Sequence, residues 1–177
     1  MEAEALFQWI PGRQEVLSKL VRALKGTNGD ELWARYAEEF WRRKIINLSS
    51  KRVRGMILIP SPSKQNEKDH AALFALNLAK VSQAEFYPCL RRSIAGGSQK
   101  KKSRSQRFKV SMEWAENFTL ENFKRRSVGK QIIFVDDVLT TGATARAAWS
   151  HLGKPRDFAV WTLTQRSLSC GASKDLI

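Results

Sequence analysis

Apolar positions near the start of the chain recur at helical spacing. Val16, Leu17, Leu20, Val21 and Leu24 share one face of a helix predicted over 14–25. A "GTNGD" breaker follows, and Asp30 is the expected N-cap of a second helix running to about Arg43. That helix sets Trp33, Ala37, Phe40 and Trp41 on one side. The pair, spanning 14–45, reads as an N-terminal helical segment packed on a core.

From residue 56 the rhythm changes. "MILIP" (Met56 to Pro60) is a short continuous apolar run, the mark of a buried strand, and a Pro-Ser-Pro loop ends it. "HAALFALNLAKV" is apolar on nearly all sides, which predicts a well-buried helix, and "EFYP" predicts a short second strand. "QIIFV" is the clearest strand of the chain. A turn, "DDVLTTG", follows it, then a helix from about Ala143 to Leu152 and a further strand, "DFAVWTL". Strand, turn, helix and strand in that order form a βαβ unit, whose two strands are parallel. The expected class is therefore α/β, with a mainly parallel central sheet flanked by helices. Its α/β core covers 55–165 within a single domain of 177 residues.

Composition changes this picture in one direction. The net charge of +14 and a pI near 10.2 attract polyanions: nucleic acid, acidic membrane surfaces or phosphorylated metabolites. Much of the charge is local. Residues 91–109, "RRSIAGGSQKKKSRSQRFK", hold eight Lys or Arg and no acid, with two glycines and four serines, and read as a flexible basic loop. Two cysteines far apart, Cys89 and Cys170, and two histidines leave no ligand set for a structural zinc and no disulfide framework. The reading is a reducing, cytoplasmic setting. No run approaches the roughly eighteen apolar residues of a membrane span, and "MEAEALFQWIPGR" lacks a signal-peptide core.

The chemistry concentrates in "IIFVDDVLTTGAT", residues 132–144. "TTGAT" lies between a strand and a helix start, at the carboxyl edge of the sheet where open α/β sheets bind ligands. Free backbone N–H groups and the positive end of a helix dipole make this an anion site, and a phosphate is its natural occupant. Gly142 lets the backbone approach, and the hydroxyls of Thr140, Thr141 and Thr144 add donors. Asp136 and Asp137 would repel a phosphate but can accept hydrogen bonds from sugar hydroxyls or hold a divalent metal. A phosphate with vicinal hydroxyls nearby describes a ribose 5-phosphate. A Walker B strand also reads as apolar residues and then two acids, but it needs a G-x-x-x-x-G-K-[ST] loop, which "GGSQKKKS" does not supply. A receiver domain places its acid pair near the chain start, and a capping role accounts for one Asp better than for two.

This segment resembles the thirteen-residue signature of type I phosphoribosyltransferases, which bind phosphoribosyl diphosphate (PRPP): four apolar residues, two acids, then T-G-x-T. Further stretches are similar to one branch, the competence-associated ComF family. They are "LSKLVRALKGTNGDELWARYA" with Lys25, "LIPSPSKQ", and "SQKKKSRSQR" with Gln99, Ser103 and Arg107 in register. Three features depart from that family: there is no N-terminal four-cysteine zinc module, "KDHAALF" replaces "RGFNQ", and Val110 stands where asparagine is usual.

The resemblance implies a type I phosphoribosyltransferase-like fold. It assigns Asp136 and Asp137 as the catalytic pair on the ribose hydroxyls, with Mg²⁺ nearby, and Thr140, Thr141, Gly142, Ala143 and Thr144 to the 5-phosphate. The implied reaction is displacement of pyrophosphate at ribose C1, through an oxocarbenium-like transition state stabilised electrostatically. Candidate pyrophosphate donors are Ser61, Ser63, Lys64, Lys100 and Arg107, with the basic loop able to close over the site. His70 at a helix start reads as structural. The same loop residues, Lys100, Lys101, Lys102 and Arg104, equally suit a second function: single-stranded nucleic-acid binding on a phosphoribosyltransferase fold. Family resemblance implies a role in competence or DNA uptake, with single-stranded DNA and a protein of the competence machinery as partners.

Overall fold

The computed structural model describes residues 2–10, 19, 29–47, 55–63, 69–93 and 110–166. The predicted helix over 14–25, residue 19 apart, and the basic segment 94–109 lie outside them, as do Lys64, Lys100, Lys101, Lys102, Arg104 and Arg107.

Five strands form one sheet in the order β1-β7-β6-β2-β3, and every pairing in it is parallel. The strands are β1 (Glu2–Trp9), β2 (Met56–Pro60), β3 (Glu85–Phe86), β6 (Gln131–Leu139) and β7 (Phe158–Arg166). A small antiparallel pair, β4 (Leu90–Arg92) and β5 (Met112–Trp114), stands apart from the sheet. The helices are α1 (Gly29–Asn47), α2 (His70–Ser82), α3 (Leu120–Arg126) and α4 (Ala143–His151). The α/β class and the mainly parallel sheet flanked by helices are therefore as expected, and β6-α4-β7 is the expected βαβ unit.

Parallel strands buried on both faces explain why β2 and β6 read as unbroken apolar runs. Alternate residues serve two separate cores. Met56, Leu58, Ile133, Val135, Ala159 and Trp161 pack on one face, beneath α1 and α2. Ile57, Ile59, Ile132, Phe134, Phe158 and Val160 pack on the other, with α3, α4 and the small sheet. On the first face α1 presents Trp33, Ala37 and Phe40, spaced four and three residues apart, and all three are buried. Trp33 and Phe40 meet Phe74 of α2 at ring-centroid distances of 5.7 and 6.0 Å, and Phe40 meets Trp161 at 5.3 Å. Each such fully buried side chain contributes about 1.5–3 kcal/mol of hydrophobic transfer energy. His70, the first residue of α2, stacks on Trp33, which fits its structural reading. Asp69 caps that helix by accepting from the Ala72 N–H at 2.9 Å.

Four sequence expectations need correction. A strand precedes the helical segment: β1 pairs with β7, and an ion pair from Lys44 to Glu4 ties α1 to it. "EAEALFQW" is half exposed at the sheet edge, so it lacks the apolar run that betrays an inner strand. Helix α1 already includes Gly29, which places Asp30 inside the helix instead of capping it. Arg91 and Arg92 belong to β4, paired with Glu113 and Met112, and so leave the expected loop. Finally, the acids Asp136 and Asp137 are still in β6, and the turn begins only at Thr140.

Candidate functional site

The register across the sheet builds the site one row at a time. On one face, Ile57, Ile132 and Phe158 are register partners, and so are Ile59, Phe134 and Val160 one step further along. One more step toward the carboxyl edge, the row turns polar. Asp136 pairs with Thr162, and Ser61 sits just past the Pro60–Val135 pair, its N–H donating to the Val135 carbonyl at 2.7 Å. Side chains two residues apart on a strand share a face, so Ser61, Asp136 and Thr162 are the polar continuation of an apolar stack. Ser61 and Thr162 are buried.

Burial in this row acts on Asp136. Loss of solvent, then the neighbouring Asp137 charge and the hydrogen bond to its carboxyl, push the Asp136 carboxyl up to about 7. The Asp137 N–H, donated to Asp136 Oδ1 at 3.0 Å, and the Ser61 hydroxyl oppose that rise. The Asp137 carboxylate accepts from the Val138 N–H at 2.8 Å. The backbone beneath the acids is also held. Thr162 Oγ1 lies 3.2 Å and Thr164 Oγ1 3.4 Å from the Asp137 carbonyl oxygen, both placed to donate to it, and Thr162 Oγ1 lies 3.0 Å from the Thr164 carbonyl. Sequence reasoning missed these buried threonines as site residues; their only signal is the two-residue spacing in "WTLTQ".

Beyond the acids, Thr140 and Thr141 are exposed, and Gly142 adopts φ +69°, the left-handed region that favours glycine. Gly142 is the N-cap of α4 and supplies no side-chain cap, so the first N–H groups of the helix keep their donor capacity. Thr141 Oγ1 takes a long contact of 3.4 Å from the Ala143 N–H. Ala143 and Thr144 form the first turn, half-buried. Arg146, four residues after Gly142, folds back over the turn: a Cβ on Gly142 would lie 3.2 Å from its guanidinium Nη1. Sequence reasoning also missed this cation, although the four-residue helical spacing from Gly142 was available as a signal.

The structure thus brings Asp136, Asp137, Thr140, Thr141, Gly142, Ala143 and Thr144 together at one edge. Ser61 joins them through its bond to Asp136, while Ser63 is half-buried beyond it, and Arg92 Nε donates to the Pro62 carbonyl at 2.8 Å to steady this loop. A surface hollow of about 470 Å³ is lined by α1 residues, Leu32, Arg35 and Tyr36 among them, and contains none of the site residues. Among the described residues no group of three or more His, Cys, Asp or Glu could hold a metal. Two adjacent carboxylates do suit Mg²⁺, which commonly uses one or two protein carboxylates and takes its other ligands from water and substrate phosphates. No helix among the described residues is long and apolar enough to cross a membrane.

No family model and no curated protein matches the chain. Solved structures with a similar chain path include an adenine phosphoribosyltransferase, at 15% identity over 76% of this chain and 70% of that one, with a TM-score of 0.45. A Trypanosoma cruzi hypoxanthine phosphoribosyl transferase is 16% identical over 82% of this chain and 72% of that one, with a TM-score of 0.47. A Thermus thermophilus protein, TT1426, is 13% identical over 79% of this chain and 86% of that one, with a TM-score of 0.41. At these identities and scores the likeness assigns no chemistry to this chain.

Proposed function

We propose that the chain is a phosphoribosyltransferase-like protein that binds PRPP at the carboxyl edge of β6. One observation carries the reading: an acid pair near the carboxyl end of a buried strand leads directly into a glycine-centred turn with open N–H donors. The turn Thr140–Thr144 takes the 5-phosphate through backbone N–H groups and threonine hydroxyls. Asp136 and Asp137 accept from the ribose 2′ and 3′ hydroxyls. Asp137 is presented for this by Thr162 and Thr164, which hold its carbonyl, and Asp136 by Ser61. The Pro60–Ser63 loop next to the pair faces the diphosphate end of the ligand.

Transfer would proceed by loss of pyrophosphate from C1, with charge building on the leaving group and a positive ring carbon behind it. The contribution of this chain is electrostatic: carboxylates beside the ribose, and N–H donors and cations around the phosphates. Mg²⁺, held through the acid pair, would supply neutralisation of the departing pyrophosphate charge. The ComF-type assignment, cytoplasmic setting and role in competence or DNA uptake belong to the same proposal, supported by the sequence stretches that resemble that family.

The deciding experiment is a thermal shift with PRPP and Mg²⁺, measured for the parent and for Asp136→Asn with Asp137→Asn. A ligand-dependent rise in Tm in the parent, lost in the double variant, is expected. A parent protein whose Tm ignores PRPP would sink the proposal. Pyrophosphate release against purines, pyrimidines, orotate and amines then tests turnover.

A further inference from the structure

The opposite, amino edge of the sheet has its own chemistry, and nothing in the PRPP reading uses it. Helix α3 ends in three consecutive cations, Lys124, Arg125 and Arg126, all exposed. Lys130 stands one residue before β6 and Arg156 two before β7. The β6–β7 pairing begins at Ile132 and Phe158, so Lys130 and Arg156 both lie just ahead of the paired strands, Arg156 in the bend that leads into β7 and Lys130 reaching toward Glu85 of β3. Lys154 occupies the turn between α4 and β7, and Lys124 reaches that turn: its Cε would lie 3.9 Å from a Cβ on Gly153. Six cations from three chain segments therefore lie at this rim, and four of them, Lys124, Arg125, Lys154 and Arg156, are exposed and apart from the Glu85 ion pairs.

The acids at this rim are Glu85, Glu121 and Asp157. Glu85 is already engaged, by Arg126 and by Lys130 at 2.9 Å, and Asp157 is engaged as well. Lys124 and Arg125 carry no ion pair among the described residues. The last turn of α3 also gathers more positive charge than its helix dipole needs, since that effect is worth only about 0.3–1 kcal/mol per cation and fades beyond one turn. A surplus of four exposed cations on a helix end and the turn before β7, on a chain of net charge +14, is the footprint of a polyanion partner.

We infer that this amino-edge rim binds the phosphodiester backbone of nucleic acid, on the side of the molecule away from the PRPP site. Serial phosphates match several exposed cations gathered on one rim, and contacts of this kind read charge and not sequence. An anionic membrane is the weaker match. The sole large apolar side chain exposed there among the described residues is Val128, and α3 buries its Phe123 against the core. One valine cannot anchor an interfacial helix, whose binding grows with buried apolar area.

The test uses the full chain and a fluorescent thirty-nucleotide oligonucleotide, single- and double-stranded, titrated by anisotropy between roughly 50 and 200 mM salt. Four backbone contacts, from Lys124, Arg125, Lys154 and Arg156, predict a log K against log salt slope of about −3 on single strands. The variant Lys124→Ala, Arg125→Ala, Lys154→Ala should shallow that slope by about two and weaken binding at least roughly tenfold at about 100 mM salt. Its melting temperature and PRPP-induced shift should stay at parent values, so a failure of the PRPP reading leaves this result intact. A second variant, Lys100→Ala, Lys101→Ala, Lys102→Ala, serves as the comparison. Unchanged affinity and slope in the rim variant, with the loss falling on the comparison variant, overturns the inference. So does binding to phosphatidylserine vesicles in the absence of oligonucleotide binding.

Discussion

Replacing Asp136 by Asn should stabilise the ligand-free protein at neutral and alkaline pH, although the residue is central to the site. Burial and Asp137 raise its carboxyl from 3.8 to about 7 in the folded chain. Between those values the unfolded chain has released the proton while the folded chain retains it. Folding stability therefore falls as pH rises through that window, by about 1.4 kcal/mol for each tenfold fall in proton concentration, and is flat above it. Across the whole window the ceiling is about 4 kcal/mol, and relaxation around the charged pair brings the expected penalty to about 2–4 kcal/mol. Asn keeps the Oδ1 acceptor that the Asp137 N–H uses at 3.0 Å, and it removes the charge. Melts monitored by circular dichroism should put the variant roughly 5–10 °C above the parent at about pH 8. The gain should shrink steadily below about pH 7 and vanish near about pH 4, where both forms are neutral. A gain that is the same in mild acid and mild alkali, or a variant less stable than the parent in mild alkali, would refute the reasoning.

Two further outcomes probe the site's supports. Gly142→Ala forces a side chain into φ +69° and toward the Arg146 guanidinium; a stability loss of about 1–2 kcal/mol in urea unfolding is expected, together with loss of the PRPP-induced shift. Retention of that shift would show that the turn is not the phosphate cradle. Thr162→Val keeps shape but removes a donor to the half-buried Asp137 carbonyl, at a cost of about 1–2 kcal/mol. The loss should combine non-additively with that of Thr164→Val, since both hydroxyls serve one oxygen, and additive losses in a double-mutant cycle would refute the shared role.

Several elements were legible because their signal is local. The inner strands β2 and β6 are covered on both faces, so they appear as apolar runs, and α1 shows its buried face as Trp33, Ala37 and Phe40. The acid pair and the glycine turn were legible as a candidate phosphate site because they stand in consecutive residues. Elsewhere the chain carries no such signal. Strand β1 is an edge strand whose partner, β7, lies at the far end of the described chain. Helix α3 has seven residues and one buried side chain, Phe123, too little for a periodicity. The pair β4 and β5 joins segments separated by the basic stretch, and its first strand is formed largely by arginines that look like loop.

The class of fold, the run of inner strands and the glycine turn after two acids could all be read from residues taken in order. Each depends on neighbours in the chain, through periodicity or backbone conformation. How the acids are held could not be read that way. Register sets Ser61 and Thr162 on either side of Asp136, and burial there raises its proton affinity. Packing also gathers the end of α3 and the turn before β7 at the far edge, where Lys124 comes up to Gly153. Both arrangements are made between elements whose placement follows from packing two cores at once, and desolvation is a property of what those cores exclude.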